Sequence, residues 1–317
     1  MTTVNVAIIQ ASPVYYNLAQ TVEKATDLIR QVASDGAQLI TFGETFFPGY
    51  PVWLDIAPSM GIWDSEATKT VWSRLYHNSP TVDGVEMTHF SALAKELGVV
   101  LVIPANERVA KGAGQGTLYN SIFTLDADGR LVNHHRKLVP TYTERIVWGA
   151  GDGAGVQAVD TQVGRVGGIV CWEHWMPLAR QALHSSGEQI HIATWPTAKE
   201  MHQVASRHYA HEGRTFVLAT GSITQAKDLP PELPVLDSIQ PDDYVVRGGS
   251  AIIAPDGSYL AEPVYDQEAI ISAELDLERV VRESMALDVT GHYARPDVFN
   301  WSIDRTRRSC HDKLYAC

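Results

Sequence analysis

The sequence has few cysteines, no excess of positive charge and no long apolar run. Three cysteines in 317 residues, two of them within the last eight, do not form the disulfide framework of a secreted scaffold. The 25 Lys and Arg against 37 Asp and Glu give a net charge of −12, which argues against nucleic acid or an anionic membrane surface as a partner. No apolar run approaches the ~20 residues that span a bilayer. We therefore expect a reducing, cytoplasmic location, with no membrane or nucleic-acid partner.

The N-terminal stretch also lacks the features of a targeting signal. Residues 1–10, MTTVNVAIIQ, carry no basic region and run directly into a predicted strand. An apolar content of 45% and a charged content of 20% are typical of a globular protein. Because no linker and no repeat of fixed period interrupts the chain, we predict one domain over residues 1–299 and a C-terminal tail over residues 300–317.

Strand and helix patterns alternate along the chain. Apolar runs predict strands at 4–10, 38–42, 99–103, 156–160, 165–170, 190–194, 215–220 and 269–275. The DG turns at 126–129 and 255–257 predict two hairpins, which pair strand 119–125 with 130–136 and strand 250–254 with 258–261. Apolar residues at helical spacing predict helices at 17–34, 66–76, 85–97, 176–185, 199–212 and 277–286. This alternation predicts an α/β fold.

Cys171 stands where a predicted strand gives way to a predicted helix. A tight junction of this kind exposes the side chain at the carboxyl edge of a sheet, where open α/β sheets place their sites. Helix N–H groups favour negative charge there, which makes a thiolate more accessible. The competing interpretation is structural, because a free cysteine is most often a small buried hydrophobe.

Two further functional side chains, Glu44 and Lys137, also follow predicted strands directly. If these strands share a sheet edge with the strand before Cys171, the three side chains converge. A buried carboxylate can then act as the base that a thiol nucleophile needs. A lysine ammonium can stabilise negative charge that develops on the substrate. The alternative is a purely structural ion pair between Glu44 and Lys137.

The surroundings of these three residues resemble the nitrilase branch of the carbon–nitrogen hydrolase (nitrilase) superfamily. Four stretches carry the resemblance: FGETFFPGYP at 42–51, HRKLVPTYTERIVWGAGDG at 135–153, CWEHWMPLAR at 171–180 and GHYARPD at 291–297. The resemblance extends over residues 4–299. The CWE triplet, with ER and WG after the lysine, points to nitrilases rather than to the amidase or carbamoylase branches.

The resemblance implies a role for each residue. Cys171 would attack the nitrile carbon to form a thioimidate, and Glu44 would be the general base that activates first Cys171 and later water. Lys137 would stabilise the tetrahedral intermediates together with the backbone N–H of Trp172, and Glu144 would position substrate and water. Ammonia would leave, and water would release the carboxylic acid from the thioester. If the tetrahedral species expels the thiolate instead, an amide is released. No metal and no organic cofactor is implied.

The same resemblance implies a four-layer α-β-β-α sandwich. It also implies pairing of two protomers into a homodimer, or a larger homo-oligomer that includes spirals. The segments 53–72 and 225–243 are similar to insertions that make such additional contacts.

Several aromatic residues near the predicted site could bind the substrate. We expect Trp172, Trp53, Tyr142 and Trp195 to line the pocket, with core packing as the alternative for each. Glu173, two residues after Cys171, is expected to be a structural hydrogen-bonding group at a helix start.

Other signals have weaker functional interpretations. His202, His208 and His211 share a predicted helix and could offer a metal edge, but a solvated helix face is the preferred interpretation. Alternative functions are an amidase, a cyanide hydratase or dihydratase of the same fold, and a non-catalytic assembly protein. A papain-like cysteine hydrolase would need a histidine base, and no histidine stands in a recognisable partner motif.

Overall fold

The computed structural model describes residues 3–308, and two of the three cysteines, Cys310 and Cys317, lie outside this range. Thirteen strands are formed within it: β1 (Thr3–Gln10), β2 (Leu39–Phe42), β3 (Val100–Arg108), β4 (Leu118–Leu125), β5 (Leu131–Arg136), β6 (Val159–Thr161), β7 (Gly164–Val170), β8 (Ile190–Trp195), β9 (Phe216–Gly221), β10 (Ile223–Gln225), β11 (Tyr244–Ile253), β12 (Tyr259–Tyr265) and β13 (Ala269–Asp276). Seven α-helices are formed in the same range: α1 (Leu18–Ser34), α2 (Trp53–Ile56), α3 (Glu66–His77), α4 (Val85–Leu97), α5 (Pro177–His184), α6 (Glu200–Gly213) and α7 (Glu278–Ser284).

The strands form two mixed sheets. In the first sheet the order is β13-β1-β2-β3-β4-β5, and β1, β2 and β3 are parallel. Strand β4 is antiparallel to both β3 and β5, so β5 runs in the same direction as β2. In the second sheet the order is β10-β11-β9-β8-β7-β6, with β12 paired to β11 and with β7, β8 and β9 parallel. Strands β2 and β5 therefore end at the same edge of the first sheet.

The two sheets pack face to face, and helices cover their outer faces. On β1, Val6 and Ile8 belong to a core cluster shared with the second sheet, whereas Ile9 belongs to a cluster shared with α1 and α4. This division follows from the alternation of side chains along a strand, and it explains why β1 is apolar on both faces. Helix α6 covers the second sheet and buries Tyr209 in the same shared cluster. The predicted α-β-β-α sandwich is confirmed.

The helix signals in the sequence correspond closely to the observed boundaries. Asn17 caps α1, because its side chain accepts a hydrogen bond from Gln20 N. Helix α4 ends at Gly98, whose φ of 67° is the left-handed conformation that glycine adopts at little cost. One predicted strand, 156–160, is shorter in the structure. Gly155 packs against the backbone of His135 in β5, so the chain makes a turn there before it enters β6.

The two predicted insertions pack on each other within the same chain. Trp53, Leu75 and Leu229 share an apolar cluster, and Leu236 N donates to Ile56 O over 3.1 Å. The described part of the predicted tail also lies on the body of the protein, where Arg307 pairs with Asp152 at 3.1 Å. None of the helices in residues 3–308 is long and apolar enough to cross a membrane.

Candidate active site

Cys171 occupies a strained junction between β7 and a single turn of 3₁₀ helix, Cys171–Trp175. Its φ is 52°, in the left-handed region that a residue with a Cβ rarely adopts. The residue is 4% exposed, and the Trp172 backbone N–H acts to lower the pKa of its thiol. The helix predicted at 176–185 is α5, Pro177–His184, and the 3₁₀ turn separates it from Cys171.

Glu44 is contributed by the first sheet, but the second sheet holds its backbone. It follows β2 after one residue, Gly43, and is fully buried. Its N–H points to Trp195 O at 3.4 Å, and Ser222 Oγ donates to its carbonyl over 2.8 Å. Both partners lie at the carboxyl edge of the second sheet, so the packing of the two sheets positions this carboxylate.

Lys137 directly follows β5 and is 1% exposed. Its Nζ donates to Glu144 Oε2 over 2.5 Å and lies 3.7 Å from Glu44 Oε1. The ammonium group therefore stands between two buried carboxylates.

Asn120 ties the base to the lysine segment. Its side-chain amide donates to Glu44 Oε1 over 2.7 Å, and its backbone carbonyl accepts the Lys137 backbone N–H over 2.8 Å. The sequence patterns did not predict Asn120 as part of the site. The available signal was an amide side chain in the middle of a strand, LYNSIFTL, that is otherwise suited to full burial.

Glu144 is fixed by three donors. It lies in a 3₁₀ turn, Tyr142–Ile146, where its Oε2 accepts the Thr141 N–H over 2.7 Å as part of a capping box. Tyr50 OH donates to its Oε1 over 3.0 Å, and Lys137 supplies the third hydrogen bond. A carboxylate that is held at both oxygens is suited to orienting other groups.

The side chains predicted from the strand ends therefore converge. One carboxylate oxygen each of Glu44 and Glu144 and the sulfur of Cys171 lie within 4.8 Å of one another. The Lys137 ammonium stands beside both carboxylates and disfavours a divalent cation at the same place. Within residues 3–308, the three histidines of α6 are not part of any such grouping of potential metal ligands.

Burial and charge set the protonation states of these groups. Burial, together with Glu144, raises the pKa of Glu44 to about 8, although Lys137 opposes the rise. For Lys137, burial acts against the charge, but Glu44 and Glu144 hold its pKa well above the ordinary value. For Cys171, burial and the Glu44 carboxylate raise the pKa of the thiol well above its ordinary value.

This result corrects the expectation that the turn after β7 favours the thiolate of Cys171. The Trp172 N–H and Lys137 do favour it, but desolvation and two neighbouring carboxylates outweigh them. The resting site therefore holds a neutral thiol beside a carboxyl group of raised pKa. That pair needs only one proton transfer to produce the nucleophile.

Glu173 links the cysteine turn to the lysine segment. It is buried, and it accepts hydrogen bonds from Val170 N (2.6 Å), Leu138 N (2.8 Å) and His135 Nε2 (2.8 Å). Burial acts against its charge, but these donors lower the pKa of Glu173. The expected structural role of Glu173 is confirmed. It holds His135 and Leu138, which lie on either side of Lys137, and Val170, which precedes Cys171.

A cavity of about 850 Å³ opens over Cys171 and Glu144. Among the predicted aromatic residues, Trp172 and Tyr142 line it and are 54% and 82% exposed. Tyr50 also lines it, next to Glu144. About half of the lining is apolar or aromatic, and threonine, histidine and charged side chains supply the rest, a mixture that suits a small organic ligand with a polar group.

The side chains of Trp53 and Trp195 do not line this cavity, contrary to expectation. Trp53 is fully buried and donates to Tyr16 OH over 2.6 Å. Trp195 is the last residue of β8, and its ring stacks on His202 of α6 at a centroid distance of 4.4 Å. Side-chain alternation turns Trp195 towards the helix layer, and it serves the site only through its backbone carbonyl.

Gly43 gives a direct test of this positioning. A Cβ at Gly43 would lie 2.4 Å from Ser222 N, so the Gly43→Ala variant must displace the segment that carries Glu44. We expect kcat to fall by ~100-fold, because a shift of about 1 Å in a catalytic group has such an effect. Steady-state kinetics and thermal unfolding would measure the change.

The matched control is Gly61→Ala, where a Cβ would meet nothing within 4 Å. It should retain wild-type kinetics. A Gly43→Ala variant with wild-type kcat would show that the contact with Ser222 does not position Glu44.

The chain is similar to known proteins over most of its length. A family model described as carbon–nitrogen hydrolase matches residues 5–282. A protein of Lupinus angustifolius named bifunctional nitrilase/nitrile hydratase is 38% identical over 304 residues, covering 94% of this chain and 85% of the relative. A protein of Sinorhizobium fredii named aliphatic nitrilase is 36% identical over 309 residues, covering 98% of each chain. The solved carbon–nitrogen hydrolase of Helicobacter pylori superposes with a TM-score of 0.72 at 23% identity, covering 93% of this chain and 96% of that one.

Proposed function

The chain belongs to the carbon–nitrogen hydrolase family, and we propose that it is a nitrilase that converts an organic nitrile and water to a carboxylic acid and ammonia. The observation that supports this proposal most directly is the grouping of Glu44, Glu144 and Cys171 within 4.8 Å, with the Lys137 ammonium beside both carboxylates. A buried thiol, an adjacent base and a fixed cation are the groups that attack on a carbon–nitrogen multiple bond requires.

In the first half of the reaction, Glu44 accepts the thiol proton of Cys171 while the sulfur attacks the nitrile carbon. The proton is then delivered to the nitrile nitrogen, which gives a thioimidate and restores the Glu44 carboxylate. Glu44 Oε2 has no hydrogen-bond partner among the described residues, so it is free to accept the proton.

In the second half, water enters under the control of Glu44 and Glu144. Glu44 takes a proton from the water as it adds to the thioimidate and passes it to the nitrogen, which gives a tetrahedral species with a hydroxyl and an amino group. Glu44 then moves the hydroxyl proton to the amino group, so that ammonia departs and a thioester remains. A second water releases the acid from the thioester, and the thiolate recovers its proton. Lys137 and the Trp172 N–H balance the negative charge of the tetrahedral species, and Trp172 and Tyr142 bind the substrate at the cavity wall.

The size of the cavity favours an organic nitrile over cyanide as the substrate. A volume of about 850 Å³ is of the size that takes a drug-sized ligand, whereas hydrogen cyanide has only two heavy atoms. A second product also has support, because a relative covering 94% of this chain is named bifunctional nitrilase/nitrile hydratase. Release of an amide requires only that the tetrahedral species expel the thiolate before ammonia leaves.

A panel of substrates tests this proposal. Ammonia and amide release would be measured from an aliphatic dinitrile, benzonitrile, phenylacetonitrile and cyanide, with the matching amides as controls. Release of ammonia from organic nitriles and not from amides is the expected result. Turnover of the amides alone would make the protein an amidase with the same residues, and turnover of cyanide alone would contradict the argument from the cavity.

We expect the reaction to need no metal ion. Since the Lys137 ammonium already lies beside both carboxyl groups and repels a second cation, EDTA should leave kcat unchanged within about twofold. Ammonia release before and after dialysis against EDTA would measure this. A loss of activity that zinc restores would make the Glu44, Glu144 and Cys171 group a metal site.

We also propose a homodimer, or a larger homo-oligomer, in the cytoplasm. Exposed apolar side chains, among them Leu178 on α5 and Met201 on α6, lie on neighbouring helices that the Arg180–Glu212 ion pair joins at 2.7 Å. Such a face is suited to burial against a second copy, and sedimentation analysis would measure the mass. The nucleophile is a free thiol, which a reducing compartment preserves.

A further inference from the structure

A chain of buried polar side chains runs from the backbone of Cys171 through the second sheet to α6. His174 Nδ1 lies 2.7 Å from Cys171 O, and His174 Nε2 lies 2.9 Å from His191 Nε2. His191 Nδ1 lies 2.7 Å from Glu188 Oε1, and Tyr209 OH donates to Glu188 Oε2 over 2.6 Å. We call His174, His191, Glu188 and Tyr209 the buried polar chain. No step of the proposed reaction uses it.

The geometry leaves one arrangement of protons for neutral imidazoles. Because the Cys171 carbonyl only accepts, His174 Nδ1 must donate to it. Burial lowers the pKa of both His174 and His191 well below the ordinary value, so each ring carries one N–H. His174 Nε2 is then an acceptor, and His191 Nε2 must be the donor. His191 Nδ1 is therefore an acceptor as well, which leaves Glu188 as the group that donates.

We infer that Glu188 is a carboxylic acid whose O–H fixes the tautomers of His191 and His174, and that it thereby positions the nucleophile turn at Cys171. This inference rests on the proposed function for the identity of the nucleophile. Glu188 is a positioning residue, because it touches neither the cavity nor the sulfur.

The buried polar chain can position Cys171 but cannot carry a proton to it, since it ends on a carbonyl oxygen. Peptide planarity makes that carbonyl informative. The C=O of Cys171 and the N–H of Trp172 belong to one planar peptide unit and point in opposite directions. A hydrogen bond that holds the carbonyl towards His174 therefore aims the Trp172 N–H at the sulfur.

The packing around Glu188 supports a neutral acid. A Cβ on Gly167 would lie 2.1 Å from Glu188 Oε1, so the glycine of β7 admits the carboxyl group next to the strand that leads to Cys171. Burial raises the pKa of Glu188 to about 8, opposed by Tyr209 and His184. The other titratable and charged groups that act on the buried polar chain are Glu173 and His135 on His191, and Arg180 and Glu212 on Tyr209.

Two variants distinguish a hydrogen-bond donor at position 188 from an ionised carboxylate. Glu188→Gln keeps a donor towards His191 and an acceptor towards Tyr209, and we expect kcat to stay within about threefold of wild type. Glu188→Leu has no donor, and we expect kcat to fall by ~10- to 100-fold with KM little changed, because the nucleophile turn shifts. If Glu188→Leu does not fold, Glu188→Asp replaces it, since its acid group is one methylene too short to reach His191. Glu107→Gln, a change of a buried carboxyl group that contacts neither the buried polar chain nor the cavity, is the control.

The pH profile gives a readout that a merely structural role would not move. Glutamine does not titrate, so the ratio of kcat in wild type to kcat in Glu188→Gln should be constant below pH 8 and fall above it, as Glu188 loses its proton. Three results would each overturn the inference: a Glu188→Gln variant as defective as Glu188→Leu, a Glu188→Leu variant as active as wild type, or a ratio of the two kcat values that does not change with pH.

Alkylation of Cys171 by iodoacetamide, followed by mass spectrometry, separates this inference from the proposed function. We expect the alkylation rate to be near wild type in Glu188→Gln and about tenfold lower in Glu188→Leu or Glu188→Asp, because the Trp172 N–H no longer stabilises the thiolate. This pattern in a protein that turns over no nitrile would retain the role of Glu188 and reject the nitrilase. Equal alkylation rates in all variants would reject the role of Glu188 regardless of the substrate.

Discussion

Replacing Cys171 with alanine is expected to lower nitrile turnover by ~10⁴-fold or more, because no covalent intermediate can form without the sulfur. Cys171 is the free cysteine of residues 3–308, and it faces both carboxylates of the site. The fold should survive, since the change removes one atom from a small buried side chain at a cost of about 1 kcal/mol in the free energy of unfolding. Ammonia release and thermal unfolding would measure the two effects.

The chain provides matched controls for this variant. Cys310→Ser and Cys317→Ser remove the other two thiols, which lie outside the described residues, and should leave turnover unchanged. Mass spectrometry during turnover should detect an adduct on Cys171 in these controls and none in Cys171→Ala. Activity near wild type in Cys171→Ala would remove Cys171 as the nucleophile.

Replacing Glu44 with glutamine is expected to lower kcat by ~10³-fold and to prevent formation of the covalent adduct. The amide retains an acceptor for the Asn120 hydrogen bond, but it cannot take the thiol proton. Lys137 keeps Glu144 as its partner at 2.5 Å, so the ammonium remains compensated. Single-turnover mass spectrometry of the Cys171 adduct would distinguish loss of the base from slow release of product.

A buried glutamate outside the cavity is the control for this variant. Glu107 is 1% exposed and pairs with Arg136, and its replacement by glutamine should lower stability while adduct formation persists. Normal adduct formation in Glu44→Gln would assign the role of base to another group.

The same base determines the expected pH dependence. The folded pKa of Glu44 is raised to about 8, so the carboxylate that accepts the thiol proton forms as the pH rises through that value. In wild type, kcat/KM should therefore increase by close to tenfold per pH unit below pH 8 and level off above it. A profile that is flat from pH 6 to 8 would contradict this ionisation.

The sequence alone places the side chains of the proposed site together, because strand direction determines where they meet. Glu44, Lys137 and Cys171 each follow a strand directly or after one residue, and such residues gather at one edge when the strands run the same way. The helix ends also follow from local patterns, as Asn17 and Gly98 illustrate, whereas the layer order was implied by the family resemblance.

Contacts between the sheets could not be predicted in the same way. The carbonyl of Trp195 and the hydroxyl of Ser222 hold Glu44 across roughly 150 or more residues of chain, and no local pattern encodes that meeting. Trp195 was expected in the cavity because it follows a strand, yet the direction of its ring depends on a register that only the folded sheet fixes. The pKa of the Cys171 thiol was expected to fall, but burial raises it. The degree of burial is a tertiary property that no local pattern reveals.

The pairing of β1 with β13 has a consequence for synthesis on the ribosome. Thr3 to Gln10 pair in register with Asp276 to Ala269, so one edge of β1 has its partner strand at the far end of the fold. At ~5–20 residues per second, β13 emerges on the order of ten to fifty seconds after β1. During this interval the nascent chain carries an apolar strand with an open edge, the kind of surface that holdase chaperones bind and that aggregates recruit. Recombinant yield should therefore depend on growth temperature and chaperone supply more strongly than the stability of the finished protein would suggest.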